Sequence, residues 1–314
     1  MVYAWILIIA ATLILAVLIG AYVVYYIAFA RNDKRLSGDE EIPDTEYYTP
    51  YEEKVVENIR KLKTIEYEDV QINSYDGLKL YGRYYHYEDN APVVIFFHGY
   101  RSSCVRDGSA MYKLGERKGI NVLLVEQRSH GRSEGKAITF GIRERYDCES
   151  WVDYVVKRFG KEKKIVLWGV SMGAATVLMS ADLDMPENVK GIVADCGFSS
   201  PKEIIQEVIR QMKFPVVPAY WLAKLGARIY GGFNLEETSA KEVLTNAKVP
   251  VFLVHGNADD FVPCSMSQIN YDACVSDKEL VIIEKAGHAM SYYVDMEQFV
   301  ARSDAFLDKV LEMV

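Results

Sequence analysis

A chain of 314 residues with 50% hydrophobic content can bury one full α/β core once its N-terminus is set aside. Its formal net charge of −8 excludes the basic footprint of a nucleic-acid surface. Five cysteines (Cys104, Cys148, Cys196, Cys264 and Cys274) are odd in number and contain no C-x-x-C pair. That argues against a disulfide framework or a zinc site and for buried, reduced thiols.

Val2 to Ala30 contains no charged residue and is dominated by Ile, Leu, Ala and Val. About twenty apolar residues cross a bilayer core, so residues 1–30 are expected to form a transmembrane anchor. Trp5 and Tyr25 would stand about 30 Å apart along a helix, the thickness of the hydrocarbon layer. Tyr3 and Trp5 at one end, and Tyr22, Tyr25 and Tyr26 at the other, fit interfacial belts. A cleaved signal peptide fits less well, because the run exceeds an h-region and no Lys or Arg precedes it. Arg31, Lys34 and Arg35 follow the segment, which favours a cytoplasmic C-terminal domain.

Residues 31–64 are expected to be a linker. Positions 31–48 are polar and acidic and suit a tether. Thr49-Pro50-Tyr51-Glu52 then offers an N-cap, a proline at the first helical position and a capping-box glutamate. Val55, Val56, Ile59 and Leu62 give the following short helix one apolar face.

Residues 65–314 are expected to be a single domain. Val70-Gln71-Ile72 and Leu78-Lys79-Leu80-Tyr81, joined through Asp76-Gly77, predict an antiparallel hairpin. Apolar runs follow at 92–97, 121–126, 164–168, 190–194, 249–254 and 280–284, with helical stretches between most of them. This alternation predicts an α/β fold, a doubly wound and mostly parallel sheet. Ligand sites in such sheets lie beyond the carboxyl ends of the strands. His98-Gly99-Tyr100, Ser171, Asp195, Asp259 and His288 all fall there.

Gly169-Val170-Ser171-Met172-Gly173 sits between a predicted strand and a predicted helix. A G-x-S-x-G turn in that setting is tight enough to strain the serine and hold its hydroxyl at the sheet's end. The flanking glycines avoid a Cβ that would collide with strand and helix. The bare pattern is weak in a chain with 21 glycines, and the strand-turn-helix context carries the reading.

A serine nucleophile needs a base and a group that orients the base. The G-x-S-x-G turn resembles that of the α/β-hydrolase arrangement, which implies the chain order nucleophile, acid, base. His86, His98 and His130 precede Ser171, and His255 precedes its nearest acid, which leaves His288. Asp259 is the favoured acid. Its neighbour Asp260 would be solvated, and Asp195, which could in principle reach the same histidine, would be a structural cap or support.

His98-Gly99, Gly169-x-Ser171-x-Gly173, His255-Gly256-x-x-Asp259-x-x-Val262-Pro263 and Gly287-His288 together resemble the α/β-hydrolase superfamily. They look most like its lysophospholipase/monoglyceride-lipase and serine-aminopeptidase-like branch, over roughly residues 65–312. Within it, the chain is similar to poorly characterised bacterial membrane-associated hydrolases. The resemblance implies that Ser171 attacks an acyl carbonyl, His288 shuttles the proton and Asp259 holds the imidazole. It also implies an oxyanion hole from the backbone N–H groups of Tyr100 and Met172. Neither cofactor nor metal is expected.

One stretch departs from the family. Glu126-Gln-Arg128-Ser-His-Gly131-Arg-Ser133 has Glu for Asp and Ser for Gly in the Asp-x-Arg-Gly-x-Gly-x-Ser segment. Residues 200–237 are an insertion where the superfamily places its lid, expected to form a small helical cap.

The expected function is a membrane-anchored serine hydrolase of carboxylic esters, with monoacyl lipids among the candidate substrates. A peptidase, amidase or acyltransferase could use the same three residues. A non-catalytic, membrane-tethered binding module would not need them. The expected partners are a small acyl substrate and the membrane, not nucleic acid.

Overall fold

The computed structural model describes residues 1–313 apart from Ser37 and Asp44, and the backbone only of Arg35. The Arg35 side chain invoked for orientation therefore lies outside the described residues. The helices are α1 (Val2–Ala28), α2 (Glu52–Lys63), α3 (Cys104–Asp107), α4 (Met111–Lys118), α5 (Glu144–Phe159) and α6 (Met172–Met179), then α7 (Pro201–Gln211), α8 (Val216–Gly226), α9 (Ala240–Val243), α10 (Ser265–Ala273), α11 (Ser291–Val294) and α12 (Met296–Leu311). The strands are β1 (Glu68–Asn73), β2 (Lys79–Tyr85), β3 (Val93–Phe97), β4 (Asn121–Glu126), β5 (Ile165–Val170), β6 (Val189–Asp195), β7 (Val251–Gly256) and β8 (Lys278–Ile283).

Among the described residues these strands form one sheet in the order β1-β2-β4-β3-β5-β6-β7-β8. The β1–β2 hairpin is antiparallel and joins β4 antiparallel, while every pairing from β4 to β8 is parallel. The central runs are apolar throughout because both faces are covered. Val93, Ile95 and Phe97 point into one core layer, and Val94 and Phe96 into the other. Ile165 and Leu167 alternate with Val166 and Trp168 in the same way.

The cap is built from α7, α8 and a π-helical turn, Ala227–Gly231, between β6 and β7. Ile204 and Ile205 anchor α7 in the core, whereas Phe214, Val217 and Trp221 remain exposed. The α2 helix forms, but its start differs from the expectation. Thr49 donates its hydroxyl to the Thr45 carbonyl, 2.9 Å, and a 3₁₀ turn, Thr49–Tyr51, leads into α2 without a side-chain cap. The 31–48 stretch makes specific contacts with the domain. Ser103 donates to Asp39 at 2.8 Å, and Arg106 donates to the Glu41 carbonyl at 3.0 Å.

Helix α1 is long and apolar enough to cross a membrane, and most of its surface is exposed. Its last turns dock on the cap. A Cβ on Gly226 would stand 2.4 Å from the Ala21 carbonyl oxygen, so only a residue without a side chain permits that approach. Tyr230 donates to the Leu18 carbonyl at 3.0 Å, and its ring meets Tyr22 edge-on. Beyond the helix, Phe29 is fully buried against Phe140 and Phe233.

The hairpin turn is fixed to α5 by Arg128. Its guanidinium reaches both carboxylate oxygens of buried Asp147 at 2.6 Å and both of Asp76 at 3.0 and 3.1 Å. Removing one member of a buried ion pair leaves an uncompensated charge. Arg128→Gln should therefore lower the unfolding free energy by about 3–5 kcal/mol in urea titrations. Arg158→Gln, which breaks an exposed pair with Glu68, should cost about 1 kcal/mol or less.

Candidate active site

The turn between β5 and α6 brings the sheet and the helix into backbone contact. A Cβ on Gly173 would stand 2.0 Å from the Phe97 carbonyl oxygen, and one on Gly169 would stand 2.2 Å from that of Gly173. Crossing in so little space forces Ser171 to φ 55° and ψ −117°, a conformation that costs an ordinary residue about 1–3 kcal/mol. Two hydrogen bonds hold it there. Ser171 N donates to the Asp195 carbonyl at 2.8 Å, and Ala175 N donates to that of Ser171 at 3.0 Å.

His288, on the loop after β8, lies with Nε2 2.9 Å from Ser171 Oγ and Nδ1 2.7 Å from Asp259 Oδ2. With Nδ1–H donated to the carboxylate, Nε2 presents a lone pair to the serine hydroxyl. Asp259 follows β7. Its Oδ1 accepts the backbone N–H groups of Phe261 (3.0 Å) and Val262 (2.8 Å). Burial pushes its carboxyl up, but the charge of His288 and the hydrogen bonds from His255 and His288 prevail, holding it below the usual carboxylate range. Burial favours a neutral His288, yet the adjacent Asp259 carboxylate outweighs this and raises the ring above its ordinary 6.5. The arrangement allows the ring to accept a proton from the hydroxyl while the carboxylate stabilises the cation.

The other expected residues fall as follows. Asp260 is exposed; its carboxylate bonds to Tyr47, and its carbonyl accepts from cap residue Gln211 at 2.6 Å. Asp195 accepts Ser291 Oγ at 3.1 Å, and burial pushes its carboxyl up to about 6. Its carbonyl accepts Ser171 N, so Asp195 acts on the Ser171 backbone.

Tyr100 lies in the turn after β3. Gly99 N donates to Asp107 at 2.7 Å, and Arg101 N donates to His130 Nε2 at 2.9 Å. A Cβ on Gly99 would stand 3.4 Å from that of Ser171, so the turn runs beside that serine. Met172 opens α6, and the first N–H groups of a helix have no acceptor within it.

Two supporting residues escaped the sequence reading. His255 donates Nε2–H to Asp259 Oδ2 (3.2 Å) and to the Val262 carbonyl (2.9 Å), while Ser267 Oγ donates to its Nδ1 at 2.6 Å. Its place in His255-Gly256-x-x-Asp259, one residue before the end of β7, was the available signal. Asp107 gathers Gly99 N, Ser102 Oγ (2.5 Å) and Arg106 Nε (3.3 Å) on one carboxylate. No local sequence pattern marked it. The segment that departs from the family keeps a tight turn: Ser129 adopts φ 65° in the place of glycine and bonds the Ala137 carbonyl at 2.8 Å. Cys196 lies beside Asp259 and His288. Burial pushes its thiol well up, leaving a protonated sulfur that is a poor cation ligand.

A strained serine turn at the carboxyl edge of a mostly parallel sheet, with an acid and a histidine on the loops after β7 and β8, is the arrangement of a class of hydrolase folds. Residues 88–231 match the family described as serine aminopeptidase, S33. The uncharacterized protein YqkD of Bacillus subtilis is 28% identical over 71% of this chain and 73% of its own. The lysophosphatidylserine lipase ABHD12 of Danio rerio is 23% identical over 62% of this chain and 50% of its own. The solved Pyrococcus furiosus esterase Pf2001 superposes with a TM-score of 0.63 at 27% identity, covering 80% of this chain and 95% of that one. The chain has the α/β-hydrolase fold and is similar in sequence to members of that superfamily.

The His288 environment predicts a measurable titration. Its folded pKa is raised, so the cation's extra stability is present below pH 6.5 and lost as pH rises through the folded value. NMR of the ring protons should give a midpoint above 6.5. Asp259→Asn should move that midpoint below 6.5, because burial would then act unopposed.

Proposed function

We propose that the protein is a membrane-anchored serine hydrolase that cleaves carboxylic esters through an acyl-enzyme. The observation that carries this reading is the hydrogen-bonded series from Ser171 through His288 to Asp259. Ser171 Oγ attacks the acyl carbonyl as His288 Nε2 takes its proton, and Asp259 stabilises the imidazolium. The backbone N–H groups of Tyr100 and Met172 bind the oxyanion, each contributing about 3–4 kcal/mol. His288 then protonates the leaving alkoxide. In the second half of the cycle it activates water, which releases the acid and restores the serine.

Membrane-derived monoacyl lipids are the substrates that the surroundings favour. An apolar helix packs on the cap, and Val217 (80% exposed) and Trp221 (52%) extend its apolar surface. The similarity to a lysophosphatidylserine lipase and to an esterase supports ester chemistry over amide chemistry. Helix α1 acts as a single-pass anchor, with Arg31 and Lys34 favouring a cytoplasmic catalytic domain.

A fluorophosphonate probe should label the wild type and leave Ser171→Ala unlabelled; equal labelling of the two would remove Ser171 as nucleophile. Asp259→Asn should lower kcat by about 10²–10⁴-fold, whereas Asp260→Asn should change it by about twofold or less. Orientation can be read with a cysteine at exposed Lys161. A membrane-impermeant maleimide should react with Lys161→Cys only after the cells are lysed, and reaction in intact cells would reverse the topology.

A further inference from the structure

We propose that the end of the N-terminal helix is a working part of the active site: through Tyr100 and Arg101 it fixes the turn that presents the Tyr100 N–H to the oxyanion. This rests on the serine-hydrolase reading and extends it to a part of the chain otherwise assigned only to the membrane.

The last turn of a helix leaves carbonyls without intrahelical partners, and these form the negative end of its dipole. In α1 the same turn accepts hydrogen bonds from outside the helix. Tyr100 Oη donates to the Ala28 carbonyl at 2.8 Å, and Arg101 Nη2 donates to that of Ile27 at 2.6 Å. The two donors are adjacent in sequence, and the guanidinium lies 4.8 Å over the Tyr100 ring. That ring packs 5.1 Å from Phe140, which in turn meets Phe29 directly after α1. A cation at a helix C-terminus is favourable.

The same stretch grips a second loop of the site. Arg31 donates to the carbonyls of Gly131 (2.8 Å) and Ser133 (2.5 Å), Arg31 N to that of Lys136 (2.9 Å), and Ala30 forms a bridge with Ala137. That loop carries His130, which accepts Arg101 N. The turn at 99–101 is therefore held from the sheet side by Asp107 and His130 and from the membrane side by α1. Oxyanion donors must be placed to within about 0.5 Å, so slack on the membrane side reaches the chemistry. Tyr100 and Arg101 act here as positioning residues through their side chains.

The test uses the full chain in detergent micelles, with a short-chain p-nitrophenyl ester and a fluorophosphonate probe. Tyr100→Phe should lower kcat and the labelling rate about tenfold with KM within about twofold. Arg101→Ala should do the same, and Arg101→Lys should recover most of the loss because its ammonium can still donate to Ile27. Backbone amide exchange over residues 98–103 should quicken in Tyr100→Phe while exchange in β5 and β7 stays unchanged. Deleting residues 1–30 would be more drastic but exposes Phe140 and Phe233 and can unfold the domain, so the single-atom change decides. A Tyr100→Phe enzyme with wild-type kcat and labelling overturns the positioning role and leaves Ser171 as nucleophile. A wild type that takes no probe overturns the serine-hydrolase reading instead. The exchange measurement then still judges the mechanical link: unchanged exchange removes it, and faster exchange upholds it.

Discussion

The backbone contact at the turn after β5 is the constraint on which the rest of the site depends. Helix α6 begins so close to β3 that no side-chain atom fits between Gly173 and Phe97. The chain can make that crossing only by placing Ser171 in a strained conformation, which projects the hydroxyl from the sheet edge and leaves the first N–H groups of α6 beside it. The strain is a local cost that the buried central strands around it offset. Their apolar side chains on both faces leave the turn no softer place in which to relax.

Around that fixed hydroxyl the polar groups form a series in which each member holds the next. The Val262 carbonyl sets the tautomer of His255, His255 and two backbone amides hold Asp259, and Asp259 orients His288. His255 sits at the end of β7, and Asp259 and His288 on the loops after β7 and β8, so the parallel register of those strands sets the spacing. On the opposite side Asp107, His130 and the end of α1 steady the turn that carries Tyr100. Here the burial of polar groups serves rigidity, because Asp107, His130, His255 and Asp259 are each held by at least two hydrogen bonds.

Much of the fold was legible because its signals are local and repetitive. Apolar runs with helices between them foretold the parallel sheet, and the turn chemistry of Asp76-Gly77 foretold the hairpin. The elbow was legible because a tight crossing demands glycine at fixed positions. What stayed hidden depends on distance in sequence. Asp107 is an ordinary acidic residue until the fold sets it under Gly99. His255 was dismissed as a base, rightly by chain order, but pattern alone did not reveal that it supports Asp259. The capping motif at Thr49 failed because the Thr45 carbonyl, one turn upstream, competes for the same hydroxyl. Helix α1 reads as an anchor from composition, and composition says nothing of which side chains will pair its last carbonyls.

That pairing has a consequence for how the molecule is made. The helix is made before the partners of its last turn, which are encoded far downstream: Arg101 lies 74 residues after Ile27, and Tyr230 lies 212 residues after Leu18. At about 5–20 residues per second of synthesis, the helix end waits ten seconds or more for Tyr230. Until then the end of α1 lacks one of its contacts, although β5 and both of its sheet neighbours, β3 and β6, have already been made. Although made before every strand of the sheet, the end of the helix completes its contacts only after β1 to β6 have been made.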